Sequence, residues 1–270
     1  MGIILVTGAA GSPGVTTTAL GLALHWPRDV LLADCDRNPA QSLQAGYLLG
    51  LDLGGRGLAG LARAHREQRP LAEELRLQTV AFQDGSEHER ELLPGFAHPA
   101  APSLFVPVWQ PLADAFAVQA DSGRDVLVDA GRITGQGLPA ALVAAADLVV
   151  VCVRSSLRSL AALRLHLPTL QQQLDESRGR AELGLVVVGP GRPYSGAEIA
   201  RQFASPVLHE LAWDPRQAEV LSDGAAPPRG WSGGQLNRSL RACASSLDER
   251  IRRRREVVAG SLSSSEWVSP

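Results

Sequence analysis

The residues best suited to chemistry lie in the glycine-rich stretch 8–18, which reads Gly-Ala-Ala-Gly-Ser-Pro-Gly-Val-Thr-Thr-Thr. An apolar run at residues 3–6 precedes it and a helix-like run at residues 19–24 follows it. Glycines in such a turn let the backbone approach an anion, and the N-terminus of the following helix offers N–H groups without intrahelical partners. The stretch therefore predicts a phosphate-binding turn and, with it, a nucleotide site.

The stretch fits only the second half of the P-loop consensus. That consensus has two glycines separated by four residues, followed by lysine and then serine or threonine. With Gly14 as the second glycine, Thr16 takes the position of the magnesium ligand. Val15 then stands where lysine is expected, and Ala9 stands where the first glycine is expected.

The same residues more closely resemble the deviant loop of the ParA/MinD family of P-loop ATPases, which reads Lys-Gly-Gly-Val-Gly-Lys-Thr-Thr. Both lysines of the family loop are replaced here, by Ala10 and Val15. The resemblance implies that ATP phosphates are cradled by the following residues: Gly11, Ser12, Pro13, Gly14, Val15, Thr16 and Thr17.

A second informative stretch places two carboxylates, Asp34 and Asp36, directly after the apolar run 30–33. It resembles the ParA/MinD segment Asp-x-Asp-Pro-Gln, with Arg37 and Asn38 inserted before the proline. The second aspartate of that segment positions the attacking water. The resemblance therefore implies that Asp36 is the catalytic residue.

A third stretch, residues 125–132, is an apolar strand that ends in Asp129. This arrangement is typical of a Walker B motif, whose carboxylate holds Mg²⁺. With Thr16 it would form the metal site, so the expected cofactors are ATP and Mg²⁺. Segments 146–151 and 206–215 also resemble later strands of the ParA/MinD fold, and the second matches the strand and loop that help to close the base pocket.

Two alternatives remain open from the sequence. Residues 7–14 also fit the Thr-Gly-x-x-Gly-x-x-Gly fingerprint of extended short-chain dehydrogenases, and Asp34 follows Gly14 by 20 residues, as a ribose-binding acid does. Because no lysine follows Tyr47 or Tyr194 at the fourth position, this would be a non-catalytic NAD(P)-binding protein. The other alternative is a pseudo-ATPase scaffold that binds no nucleotide.

The composition limits the chemistry, because all 26 basic residues are arginine and none is lysine. Without an ammonium group at the phosphates, we expect weak or no ATP hydrolysis. Arg37 and Arg132 are candidates to replace the missing lysines.

A net charge of −2 gives no general attraction to nucleic acid or anionic membrane. For the arginines at 252–255 we therefore favour a solvated helix end over a contact with DNA or membrane.

The elements that must position these residues are short, continuously apolar runs separated by helix-length segments. Such runs are typical of parallel strands buried on both faces, so the sequence predicts an α/β fold with a doubly wound, mostly parallel sheet flanked by helices. We expect one domain over residues 1–260 and a disordered tail at 261–270, with an insertion between 51 and 120 that includes a hairpin near residues 84 and 85. The predicted strands are at 3–6, 30–33, 126–128, 148–153, 183–188 and 207–211.

Location and role complete the predictions. Three cysteines in apolar surroundings fit a reducing compartment, and the chain has no apolar run close to 18 residues. We expect a cytoplasmic protein, at most peripheral at a membrane. Within the ParA/MinD family it looks most like divergent actinobacterial members and the TadZ/CpaE-type pilus-localisation proteins. The resemblance implies a homodimeric positioning or assembly protein with a pilus, secretion-system or partition partner.

Overall fold

A computed structural model describes residues 1–10, 14–82, 87–177 and 181–265, with side chains up to residue 256. Three predicted cradle residues, Gly11, Ser12 and Pro13, lie outside the described residues. The tip of the predicted hairpin at residues 84 and 85 and the last five residues of the chain lie outside them as well.

The described part of the chain forms one eight-stranded sheet. Its strands are β1 (Ile3–Gly8), β2 (Val30–Asp34), β3 (Val80–Ala81), β4 (Arg90–Leu93), β5 (Asp125–Arg132), β6 (Leu148–Arg154), β7 (Glu182–Val188) and β8 (Val207–Leu211). They lie in the order β3-β4-β2-β5-β1-β6-β7-β8. All neighbouring pairs are parallel except β3 and β4, which form the predicted hairpin. The six strands predicted from apolar runs are confirmed.

Helices cover both faces of the sheet, as predicted for a doubly wound fold. They are α1 (Val15–Leu24), α2 (Ser42–Ala45), α3 (Leu58–Arg66), α4 (Leu71–Glu74), α5 (Ala101–Leu104), α6 (Trp109–Asp121), α7 (Ala140–Ala145), α8 (Leu157–Glu176), α9 (Gly196–Phe203), α10 (Pro215–Ser222) and α11 (Gln235–Ser265). The helices α1, α2, α10 and α11 pack on one face, and α3, α4 and α6 to α9 pack on the other. Alternate strand residues point to opposite faces, so both faces need apolar side chains.

The long helix α11 buries the stripe that the sequence predicts at helical spacing. Its buried residues are Leu236, Leu240, Cys243, Leu247 and Ile251. The helix is described to Ser265 and so continues past residue 260, while the proposed end of the domain and the state of the tail stay predictions. Among the described residues, no helix combines the length and the apolar character needed to cross a membrane.

A buried charged network fixes the amino edge of the sheet. The Asp125 carboxylate on β5 accepts hydrogen bonds from the Gly2 N–H at 2.6 Å and from Trp26 Nε1 at 2.9 Å. Arg28 lies 2.7 Å from Asp125 and also pairs with Asp248 of α11. These contacts bind the amino edge to α11. The loops that carry the predicted chemistry lie at the opposite, carboxyl edge.

Candidate functional site

The strand order brings the predicted site residues together at the carboxyl edge. Strand β5 lies between β1 and β2, and Asp129 pairs in register with Val6 on one side and with Asp34 on the other. The turn that begins after β1 therefore lies beside the end of β5. Thr16, Asp36 and Asp129 lie close together at this point.

Helix α1 presents an open N-terminus to this edge. Gly14 precedes its first residue with φ +104°, a left-handed conformation that favours glycine, and no side chain of the described residues caps the helix. The N–H groups of the first turn have no intrahelical partners, so they can bind an anion. The Val15 side chain is buried in the core beneath α1.

Asp129 provides a carboxylate oxygen with an unsatisfied bonding position. Its side chain is fully buried, and Oδ1 accepts a hydrogen bond from the Gly131 N–H at 3.0 Å. Oδ2 has no partner in hydrogen-bond geometry among the described residues. Burial raises the pKa of Asp129 to about 6, although the nearby Thr16 hydroxyl and the Gly131 N–H oppose the shift.

This arrangement fits Mg²⁺, which binds hard oxygen ligands and often takes one or two carboxylates together with phosphate and water. Among the described residues, Asp129 Oδ2 and the Thr16 hydroxyl beside it at the start of α1 are oxygens that could ligate the ion. Within the described parts of the chain, no three His, Cys, Asp or Glu side chains converge to hold a metal by themselves. The remaining ligands would therefore have to come from a phosphate group and water.

Asp36 packs directly against the backbone that follows Asp129. A Cβ at Gly131 would overlap the Asp36 carboxyl group, and Gly131 has φ +61°. Asp36 Oδ1 accepts a hydrogen bond from the Asn38 N–H at 2.8 Å. Burial raises the pKa of Asp36, while the charges of Arg132 and Arg37 oppose that shift. A carboxylate held here can orient a water molecule beside a phosphate bound at α1.

Asp34 lies in different surroundings, against the backbone of Gly95, where it lines a cavity of about 200 Å³. Burial, and then the charge of Asp129, raises the pKa of Asp34 to about 8. In the Rossmann order the first two strands are neighbours, which places the ribose-binding acid beside the glycine-rich turn. Here β5 separates β2 from β1, so the strand order contradicts the dinucleotide-binding alternative.

Arg37 does not point toward the cradle. Its guanidinium donates hydrogen bonds to the Gly137 carbonyl and, at 3.2 Å, to the Thr134 hydroxyl. The side chain of Gln173 on α8 makes two hydrogen bonds to the neighbouring Leu138. Gln173 Oε1 accepts from the Leu138 N–H at 2.9 Å, and Gln173 Nε2 donates to the Leu138 carbonyl at 3.0 Å. The inserted Arg37 therefore fastens the loop after β2 to the loop after β5. Arg132, the other candidate replacement for lysine, is exposed.

A cation at this edge that sequence reasoning missed is Arg154, the last residue of β6. Its guanidinium carbon lies 3.7 Å from the ring centroid of Trp213, which follows β8. Trp213 in turn packs on Gly189, where a Cβ would come within 3.1 Å of the tryptophan Cβ. The same sequence signal marks both residues. Asp129 directly follows the predicted strand 126–128, and Arg154 directly follows the predicted strand 148–153.

The arginines at 252–255 are largely compensated by nearby carboxylates. Arg252 lies 3.2 Å from Asp248, and Arg253 pairs with Glu249 one turn earlier. Arg255 lies 2.9 Å from Asp147. These pairs favour a solvated helix end over a surface that attracts DNA or anionic lipid.

Comparison with known proteins finds likeness at the level of structure. No family model matches the sequence, and a search of curated proteins gives no match. The MinC:MinD complex of Aquifex aeolicus superposes with a TM-score of 0.68 at 16% identity, covering 92% of this chain and 96% of that one. A ParA-family ATPase of Chlorobium tepidum gives 0.66 at 16%, covering 91% and 98%. MinD of Pyrococcus horikoshii, solved with Mg-ADP, gives 0.65 at 17%, covering 93% and 97%. The chain thus has the MinD/ParA fold.

Proposed function

We propose that this chain binds ATP with Mg²⁺ at the carboxyl edge of its sheet and acts as a ParA/MinD-like positioning or assembly protein. The observation that carries the proposal is the buried Asp129 oxygen without a partner, beside Thr16 at the uncapped start of α1. In this proposal Asp129 and Thr16 hold Mg²⁺. The cradle, from Gly11 to Thr17 in the chain, binds the phosphates through its backbone.

Hydrolysis in this proposal is slow or absent. Phosphoryl transfer depends on positioned cations at the developing charge, and the loss of one can slow it by orders of magnitude. This chain has no lysine, and Arg37 is bound to the loop at residues 134–137. Asp36 orients the attacking water in whatever hydrolysis remains. Binding survives because backbone N–H groups and Mg²⁺ still complement a triphosphate.

Proton release accompanies metal binding in this proposal. A carboxylate must be ionised to hold Mg²⁺, and the pKa of Asp129 is about 6 in the metal-free protein. Metal affinity therefore rises with pH through that value. The positive charge of the bound ion stabilises the ionised carboxylate, which burial shields from water.

The structural neighbours support the nucleotide and partner parts of the proposal. One MinD structure holds Mg-ADP, and another MinD is in complex with MinC. By analogy, we propose a homodimer across the nucleotide face that binds a partner protein in the cytoplasm or at the membrane surface. Placement of a pilus or secretion system, as in the TadZ/CpaE-type proteins, is the role that the sequence resemblance suggests.

Calorimetric titration with ATP and Mg²⁺ tests the proposal on the wild type, Thr16→Ala and the matched control Thr169→Ala in the second half of α8. We expect the wild type and the control to bind equally, and Thr16→Ala to lose the Mg²⁺-dependent part of the affinity. Stabilisation by ATP-Mg²⁺ but not NAD(P)H in thermal unfolding gives a second readout. A wild type that responds to neither ligand contradicts the proposal and supports the scaffold alternative.

A further inference from the structure

The position of Arg154 follows from the contacts of Cys152, two residues earlier on β6. Cys152 pairs in register with Gly8 of β1, and its thiol lies beside the Thr18 hydroxyl on α1. Two residues along a strand advance about 6.6 Å. Four residues back along α1, from Thr18 to Gly14, cover about 6 Å in the same direction. Arg154 therefore stands level with the start of α1, one strand away from the cradle.

The side chain of Arg154 also leaves the sheet on the appropriate face. Along β6, Val150 and Cys152 point into the core beneath α1 and α11, whereas Val151 and Val153 point into the opposite core. Because successive strand residues alternate, Arg154 belongs to the face that carries α1. A cation on this face, at this level, can reach an anion held by the first turn of α1.

The charge of Arg154 is not neutralised by a carboxylate among the described residues. The side chain is half-buried and lies on the Trp213 ring. Arg37 is bound to the loop after β5, and the charge of Arg132 acts on Asp36. Contact with an aromatic face is weaker than a charge-assisted hydrogen bond to phosphate, so an arriving phosphate would outcompete the ring.

From these observations we infer that Arg154 supplies the positive charge to the phosphates of a bound nucleotide, and that Trp213 holds its guanidinium in place when no nucleotide is bound. The inference rests on the proposed function. The guanidinium can donate two parallel hydrogen bonds to phosphate oxygens. Arg154 would thus replace the missing lysines from a different strand.

The test compares Mg²⁺-ATP, Mg²⁺-ADP and adenosine binding to the wild type, Arg154→Met, Arg154→Lys and the exposed α8 control Arg164→Met. We expect Arg154→Met to weaken ATP binding by about tenfold or more, to weaken ADP binding less and to leave adenosine unchanged. Arg154→Lys should restore part of the ATP affinity, and the control should match the wild type. Thermal unfolding of each variant checks that it is folded.

Tryptophan fluorescence gives an independent readout of the same event. If Arg154 leaves the ring when phosphate binds, ATP should change the emission of the wild type, and Trp213→Phe should lose that change. Equal losses of affinity for all three ligands in Arg154→Met would overturn the inference, because they would show that Arg154 and Trp213 contact the adenine base. Unchanged ATP affinity in that variant would also overturn it while leaving the proposed function intact. No binding by the wild type would remove both.

Discussion

Replacing Asp129 with asparagine should make the nucleotide-free protein more stable while abolishing its response to Mg²⁺. Asparagine has nearly the same shape, and its Oδ1 can keep the 3.0 Å hydrogen bond from the Gly131 N–H. What it removes is a buried negative charge that has one unsatisfied oxygen. The same charge is the proposed ligand of the metal, so one substitution separates the two roles.

The size of the effect follows from the pKa of Asp129. Burial raises it from 3.8 to about 6, a shift of about 2 units, and each unit corresponds to about 1.4 kcal/mol. Because the folded-state pKa is the higher one, the wild type is favoured below pH 3.8 and loses this contribution as the pH rises through 6. At pH 8, Asp129→Asn should gain up to about 3 kcal/mol over the wild type, and at pH 4 the gain should nearly vanish.

Urea unfolding at both pH values in the presence of a chelator measures the first effect, with exposed Asp114→Asn as the matched control. Repeating the pH 8 experiment with ATP and Mg²⁺ measures the second, since a ligand stabilises the state that it binds. The wild type should gain stability and Asp129→Asn should not. A metal-free Asp129→Asn that is less stable than the wild type at pH 8 would refute the reasoning.

Three further predictions follow from the same contacts. Gly131→Ala should cost about 1 to 3 kcal/mol in chemical unfolding and displace Asp36, whereas Gly123→Ala, also at positive φ but with open space around its Cβ, should cost less; equal costs would contradict the close packing. Arg37→Ala should speed hydrogen exchange at residues 134–138, and unchanged protection there would show that this contact does not hold the loop. Arg28→Met should lower the free energy of unfolding by about 3 to 5 kcal/mol because it leaves the buried Asp125 carboxylate without a cation, and a loss below about 1 kcal/mol would count against the network.

The strands were the most predictable part of the fold. A strand buried on both faces needs apolar side chains at every position. Runs such as those at 148–153 and 183–188 can therefore be recognised as strands without knowing which strands lie beside them. Which strand lies beside which is a tertiary property. The sequence therefore left a dinucleotide-binding alternative open, and only the insertion of β5 between β1 and β2 decides against it.

The site was predictable where its residues lie at the ends of strands. Asp129 directly follows the predicted strand 126–128, Asp36 lies two residues past the end of β2, and parallel strands end at the same edge. The contact between Arg154 and Trp213 was not predictable, because the two residues lie 59 positions apart in the sequence and their contact depends on the position of β8 in the sheet. Arg37 was expected near the phosphates, yet the hydrogen-bond acceptors at Thr134 and Gly137 turn it toward a neighbouring loop.

That contact of Arg37 has a kinetic consequence. The segment after β2 carries Asp36, the segment after β5 follows Asp129, and the Arg37 guanidinium joins the two. Segments linked in this way move together, so spectroscopic labels on either one should relax with a common rate constant. Cutting the link should split that single relaxation into two.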